Sequence, residues 1–227
     1  MDDPTDLVEA THRLVRTVDA LDDAQYPDPS FCTGWSRGHV VAHLALNAEG
    51  LAGALRGTVD GHPVPMYRSQ QTRDADIEAL AREHPSEIRA RLLGATSELH
   101  DAIAAVPDDR GATPIERVLG GGPVFTAADV PWMRVREVEI HHADLLAGYG
   151  RADWPADFAA ALVDAMVDRP EPPMTLHAVD LDRTWETGPG GPTVSGTAAD
   201  LGWWLSGRGD GSDLTSDSGV LPRIGAS

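Results

Sequence analysis

The chain has 227 residues, 41% of them apolar, enough to build the core of one large domain or of a main domain with a smaller companion. Its 36 acidic residues against 18 basic ones give a formal net charge of -18, which argues against nucleic-acid partners, because those require a basic surface. Every basic residue is Arg, so Schiff-base chemistry and a P-loop lysine are excluded; the Arg bias itself fits a GC-rich genome rather than a function. No apolar run approaches the ~20 residues of a membrane span. The acidic start MDDPTDLVEA has no basic or apolar region of a signal peptide, so a cytoplasmic protein without a membrane partner is expected. The single cysteine, Cys32, excludes an internal disulfide and a multi-cysteine zinc site. Any metal must therefore take imidazole and carboxylate ligands.

In chain order, Leu7, Leu14, Val18 and Leu21 recur at helical spacing over residues 4–21, and the breaker stretch DDAQYPDPS follows. Ser36 is a natural N-cap for a second helix running to about Leu55, after which RGTVDGHPVPMY reads as a loop. A third helix is expected over roughly 72–83. Pro85 interrupts it, and a longer one runs on to about Val106. Residues 107–125 read as a loop or short hairpin. Thr126 as N-cap, Asp129 at the third position, Pro131 in the first turn and Gly148 as stop frame the next long helix. Beyond Gly150 the pattern changes. A short helix over 155–168 leads to the Pro-rich break RPEPP. Three strand-like pieces (MTLHAVD, RTWETG, PTVSGT), a last helix AADLGWWLSG and a polar tail complete the chain. The expectation is an α+β protein, with a four-helix bundle over 1–149 and a small α/β domain over 150–227.

Two pairs of candidate ligands stand four residues apart on expected helices: His39 with His43, and Glu137 with His141. That spacing puts both members on one face, with Cβ atoms about 5–6 Å apart, near enough to share one ion. The same spacing also occurs on solvated helix faces, and from spacing alone His39 and His142 remain rivals. Glu137 and His141 fall beside Met133 and Ile140 on the side read as apolar, where an ionised carboxylate needs a partner such as a metal. Glu139 and His142 face elsewhere and are expected to be exposed. Other arrangements are weaker. Ser36 and Ser206 lack a His and an acid at any recognisable elbow, the run Gly120-Gly121-Gly122 lacks the dinucleotide-binding spacing, and Cys32 reads as a small apolar residue. Trp203 and Trp204 read as core of the second domain.

At these residues the chain resembles the mycothiol-dependent maleylpyruvate isomerases, two-domain members of the DinB-like metal-dependent superfamily. The matching pieces are GWSRGHVVAHLALNA (34–48), PMYRSQQTRDADIE (65–78), WMRVREVEIHHADL (132–145) and VSGTAADLGWWLSGRG (194–209). They occur in the family's order and span most of the chain. The resemblance implies a DinB-like bundle with a His, Glu, His metal site, which falls on His43, Glu137 and His141, with water as a further ligand. It selects the His preceding Leu-Ala, so His39 becomes structural. It also implies a functional Arg in the GRG segment, Arg208, and suggests Arg73 as a second cation for substrate or cofactor carboxylates.

The cofactors implied are a divalent metal, zinc first, and mycothiol. The partners implied are a small dicarboxylate and a low-molecular-weight thiol, acting on a monomeric protein in aromatic-ring (gentisate) catabolism. The chemistry implied is addition of a metal-activated thiolate to the cis double bond of maleylpyruvate, rotation, and elimination to fumarylpyruvate. Two other readings use the same residues: a mycothiol S-transferase that leaves the thiol on another electrophile, and a metal-binding protein without turnover.

Overall fold

Four long helices carry the N-terminal half, and the computed structural model, which describes residues 4–169 and 172–224, packs them into a closed ring. Helix α1 (Pro4–Ala20) lies against α5 (Val130–Asp144) and α4 (Pro85–Ala104), while α2 (Arg37–Val59) lies against α4 and α5. A shorter helix, α3 (Gln70–Leu80), packs on α2. The ring is filled by two apolar clusters, one that includes Leu14 and Val18 of α1, Val40, Val41 and Leu44 of α2, Ile88 and Leu92 of α4, and Val138 of α5, and one that includes Leu51 and Leu55 of α2, Leu99 of α4 and Val130 of α5. Burial of such side chains at ~1.5–3 kcal/mol each, rather than helix propensity, holds the four together.

The ends of these helices follow the sequence signals except at the end of α2 and at both ends of α5. Ser36 caps α2: its Oγ accepts from the His39 amide, and the His39 ring turns back to bond Ser36. The helix does not stop near Leu55, however, but continues through Arg56–Val59. Gly57 is there to admit the returning chain, not to end the helix: a Cβ on it would lie 2.8 Å from the His62 carbonyl oxygen. Residues 107–125, read as a loop or short hairpin, form the hairpin, with β1 (Pro114–Val118) and β2 (Gly121–Thr126) paired antiparallel. Thr126 and Asp129 bond each other around a single 3-10 turn, so that the α-helix itself begins at Val130. At its other end α5 stops at Asp144. Leu146 takes a left-handed backbone (φ 53) and its carbonyl accepts from Arg37, well before Gly148.

One expectation about α5 is reversed. Glu139 and His142, read as exposed, are each only 1% exposed and face α1. Arg13 of α1 makes an ion pair with Glu139, and Thr17 of α1 meets His142 Nε2 at 2.8 Å. Polar partners on α1 thus make a charged stripe compatible with a buried helix face. The side carrying Glu137 and His141 is the more open one, with side-chain exposures of 29% and 14%.

The chain divides by its contacts into a unit ending at Gly148 and a unit starting at Tyr149. In the second, α6 (Ala156–Met166) packs on α7 (Ala198–Leu205), and α7 covers a four-stranded sheet. The strand order is β4 (Arg183–Glu186), β3 (Thr175–Ala178), β5 (Thr193–Gly196), β6 (Thr215–Ser216); β3 runs parallel to β5, and the outer pairs are antiparallel. Leu176 sits opposite both Trp185 and Val194, so the inward side of three strands enters one core with Trp204, Leu201 and Leu205. Trp203 is buried as well. Pro170 and Glu171 of the Pro-rich break lie outside the described residues. No helix among the described residues is long and apolar enough to cross a membrane.

Gly57→Ala provides a test of the α2 path. Helix propensity alone would stabilise the variant by ~1 kcal/mol. The clash with His62 and Val64 instead is expected to make it less stable than the wild type by ~1–3 kcal/mol. A urea midpoint at or above the wild-type value would contradict that packing.

Candidate metal centre

Within the N-terminal unit, a cavity of about 420 Å³ opens between α2, α5, the Met66–Tyr67 segment, α3 and the β1–β2 hairpin. His43 enters it from the middle of α2, and Glu137 and His141 enter from α5 one turn apart. One carboxylate oxygen, Glu137 Oε2, lies 2.9 Å from His43 Nε2 and 3.6 Å from His141 Nε2. The two imidazoles meet edge to face, with centroids 4.6 Å apart. One donor atom from each of the three residues therefore falls within 4.8 Å of the others, a spacing at which one cation can touch all three.

The surroundings set the protonation of these groups. Burial pushes the His43 pKa down to about 4, with the nearby positive groups acting the same way and Glu137 opposing. His43 is therefore neutral near pH 7. Its Nδ1 faces Arg73 Nη2 at 3.2 Å, and a guanidinium only donates, so Nδ1 accepts and the ring proton sits on Nε2, directed at Glu137. For Glu137, burial favours the neutral acid. The hydrogen bond from His43, with the electrostatic pull of His141 and Arg134, outweighs it and holds the carboxyl well below its ordinary range.

The expected residues divide clearly. His43, Glu137 and His141 are brought together, and Arg73 stands beside them on the wall of the same cavity. His39 is not among them: its Nε2 meets Glu78 of α3 at 3.0 Å, which ties α3 to the start of α2. His142 is turned toward α1. Arg208 belongs to the other unit, where its Nη1 donates to the Ser206 carbonyl and its guanidinium lies 5.8 Å from the Trp203 ring centroid. Ser206 is occupied in its own turn, its Oγ donating to the Trp203 carbonyl.

Several residues of the site carry no strong sequence signal. Arg117 of the hairpin and Arg136 of α5 line the cavity, and Arg73 and Arg117 each lie over the Tyr67 ring, at 5.7 and 5.6 Å. Arg117 sits in the stretch where no motif aligns, so only the fold reveals it. Trp35 packs against His43 at 5.5 Å. Asn47, one turn beyond His43, accepts from the fully buried Arg134 at 2.7 Å.

The imidazole of His43 gives a pH test on metal-free protein. The unfolded chain takes up that proton near the ordinary value of ~6.5, the folded chain only near 4, so stability is fully present above ~6.5 and falls as pH drops toward 4. Glu137, whose carboxyl is lowered, adds its own loss only below the ordinary carboxylate range of ~4.3. Denaturant unfolding of chelated protein between pH 7 and 4.5 should show a slope that His43→Gln reduces. Equal slopes would mean that His43 is not held neutral by burial.

The comparisons with known proteins agree across both units. Residues 7–146 match the mycothiol maleylpyruvate isomerase N-terminal domain, and residues 153–226 match the MDMPI C-terminal domain. A crystal structure of a mycothiol-dependent maleylpyruvate isomerase superposes with a TM-score of 0.85 at 26% identity, over 98% of this chain and 94% of the other. A histidine-to-alanine mutant of a mycothiol-dependent maleylpyruvate isomerase does so with the same score and coverage at 25% identity. No curated protein matches the sequence. On these grounds the chain belongs to the mycothiol maleylpyruvate isomerase family, with an α+β, DinB-like fold.

Proposed function

We propose that this chain is a mycothiol-dependent maleylpyruvate isomerase whose divalent metal, zinc by first choice, is held by His43, Glu137 and His141. The observation that carries this reading is the convergence of two imidazole Nε2 atoms on one carboxylate oxygen inside the cavity. Tetrahedral donors about 2.0–2.2 Å from one metal would stand roughly 3.3–3.6 Å apart, so the 3.6 Å pair would serve as it is and the 2.9 Å pair would open by a few tenths of an ångström. Two imidazoles and a carboxylate suit zinc and leave a coordination position open. When bound, the metal supplies the positive charge that keeps a thiol as thiolate, the nucleophile for reversible addition to the substrate's cis double bond.

The chain's own residues do the remaining work. Binding through His43 Nε2 requires its proton to pass to Nδ1, which releases Arg73 from its hydrogen bond and leaves its guanidinium facing the cavity. Arg73, Arg117 and Arg136 give the wall three permanent cations, against the single carboxylate of Glu137. In a chain of net charge -18 this makes the cavity a local attractor for a dicarboxylate, gripped by guanidinium forks. The family resemblance adds Arg208 as a further substrate contact. A cytoplasmic monomer completes the reading, and the lone cysteine fits that compartment.

Incubation with maleylpyruvate and mycothiol is expected to yield a product of unchanged mass. A product heavier by one mycothiol would replace the isomerase with a mycothiol S-transferase, and metal binding without thiol-dependent turnover would replace it with a binding protein. His43→Ala is expected to lose both zinc and activity, and full zinc occupancy in that variant would sink the ligand assignment. Arg208→Ala is expected to retain zinc and lose most turnover; unchanged kinetics would remove Arg208 from the mechanism.

A further inference from the structure

Behind His141, on the side of the ring away from its Nε2, stands a carboxylate with no exposure to solvent. Asp144 lies one turn further along α5, and its Oδ2 is 2.8 Å from His141 Nδ1. The same oxygen accepts the Cys32 S–H, with Sγ 3.3 Å away. The loop that brings Cys32 here is fastened to the end of α5: the Phe31 amide donates to the Asp144 carbonyl at 2.8 Å. Arg37, at the start of α2, donates to the carbonyls of Leu145 and Leu146 at 2.8 Å each. Asp144 is therefore fixed from two sides before any ligand arrives.

A carboxylate only accepts, so this close contact, a charge contact rather than an aligned hydrogen bond, favours a ring proton on Nδ1 and leaves Nε2, 3.6 Å from Glu137 Oε2, as the nitrogen that can take a cation. The two imidazoles of the centre thus differ. His43 has a donor, Arg73, at Nδ1 and keeps its proton on Nε2, whereas His141 has a carboxylate beside Nδ1.

We infer that Asp144, backed by the thiol of Cys32, is a positioning residue of the metal centre: it fixes the tautomer and ring orientation of His141 so that Nε2 is preset for a divalent cation. The inference rests on the metal-centre reading above and assigns Cys32 a hydrogen-bonding place, not a nucleophilic one. Carboxylates that orient a ligating imidazole in this way commonly change metal affinity by about 10–100-fold when removed. A competing arrangement exists in the same atoms, because Cys32 Sγ, His141 and Asp144 also lie within 4.8 Å of one another and could hold a cation themselves. The two differ in stoichiometry.

The test is zinc titration of the stripped full-length chain against a competing chelator, for the wild type and for Asp144→Ala, Asp144→Asn and Cys32→Ala. The wild type is expected to take one zinc per chain. Asp144→Ala should weaken it by about 10–100-fold. Asp144→Asn, which keeps an acceptor but loses the charge, should fall in between, with a metal-free unfolding midpoint close to that of the wild type. That midpoint separates a loss of positioning from a loss of fold. Cys32→Ala should stay within a few-fold of the wild type at unchanged stoichiometry. Wild-type zinc affinity in both Asp144 variants would overturn the inference while leaving the metal centre standing. A second zinc that disappears with Cys32→Ala would overturn it in favour of a metal site at the cluster itself. A wild-type chain that takes up no zinc would sink the centre and this inference together.

Discussion

Glu137 places a carboxylate on a cavity wall between apolar helices, where burial alone would drive it to its neutral acid. It stays ionised because positive and donating groups are arranged around it: His43 and His141 at its Oε2, and Arg134 close enough for its charge to be felt. Each of these depends on a partner of its own. Arg134 is fully buried, and burial pulls its pKa down to about 10, with Glu137 opposing; its Nη1 donates to Asn47. His43 leans on Arg73, and His141 on Asp144, to which the Cys32 thiol donates in turn. A group that is expensive to bury thus organises polar side chains from α2, α3 and α5, together with the loop before α2.

Helix α5 is where this organisation is written. Glu137 and His141, one turn apart, form one polar stripe that lines the cavity, and Arg134, three residues before Glu137, is buried behind it against Asn47. Glu139 and His142 form a second stripe that serves α1 through Arg13 and Thr17. Apolar Val135 and Val138 lie buried in the same helix. The two stripes have different purposes, one chemical and one cohesive, and a charged residue on this helix signals neither by itself. What separates them is the partner across the interface: a salt-bridging Arg on α1 satisfies Glu139 within the protein, whereas Glu137 meets two imidazoles on the wall of a cavity.

That distinction marks the limit of what the sequence could disclose. The helices over the first half and three of the four strands of the second unit were legible because apolar periodicity and Gly/Pro punctuation set them locally, as in α4 behind Pro85 or the Leu176 strand, whereas β6 lay in the stretch read as a polar tail. Glu137 and His141 could be paired from their i, i+4 spacing on one helix, whereas the same spacing joined His43 to His39, and only the family resemblance singled out His43; the structure brings the three side chains together. The reading of Glu139 and His142 as exposed failed because the burial of a charge is decided by a residue 126 positions away, Arg13. The end of α2 was misplaced because Gly57 answers a tertiary contact with His62 and not a local stop. Asp144 carried a local signal that could have been used, three residues beyond His141 in HHAD. Arg117 carried none, since it reaches the cavity only through the hairpin that follows α4.

The central claim is that one cation, held by the three converging side chains, makes the thiol chemistry possible. It is tested most directly by following maleylpyruvate turnover with and without mycothiol, before chelation, after chelation, and after return of one equivalent of zinc. The account requires turnover only when thiol and metal are both present, with activity lost on chelation and restored by the single equivalent. Turnover that survives complete removal of metal, or that proceeds at the same rate without the thiol, would contradict it.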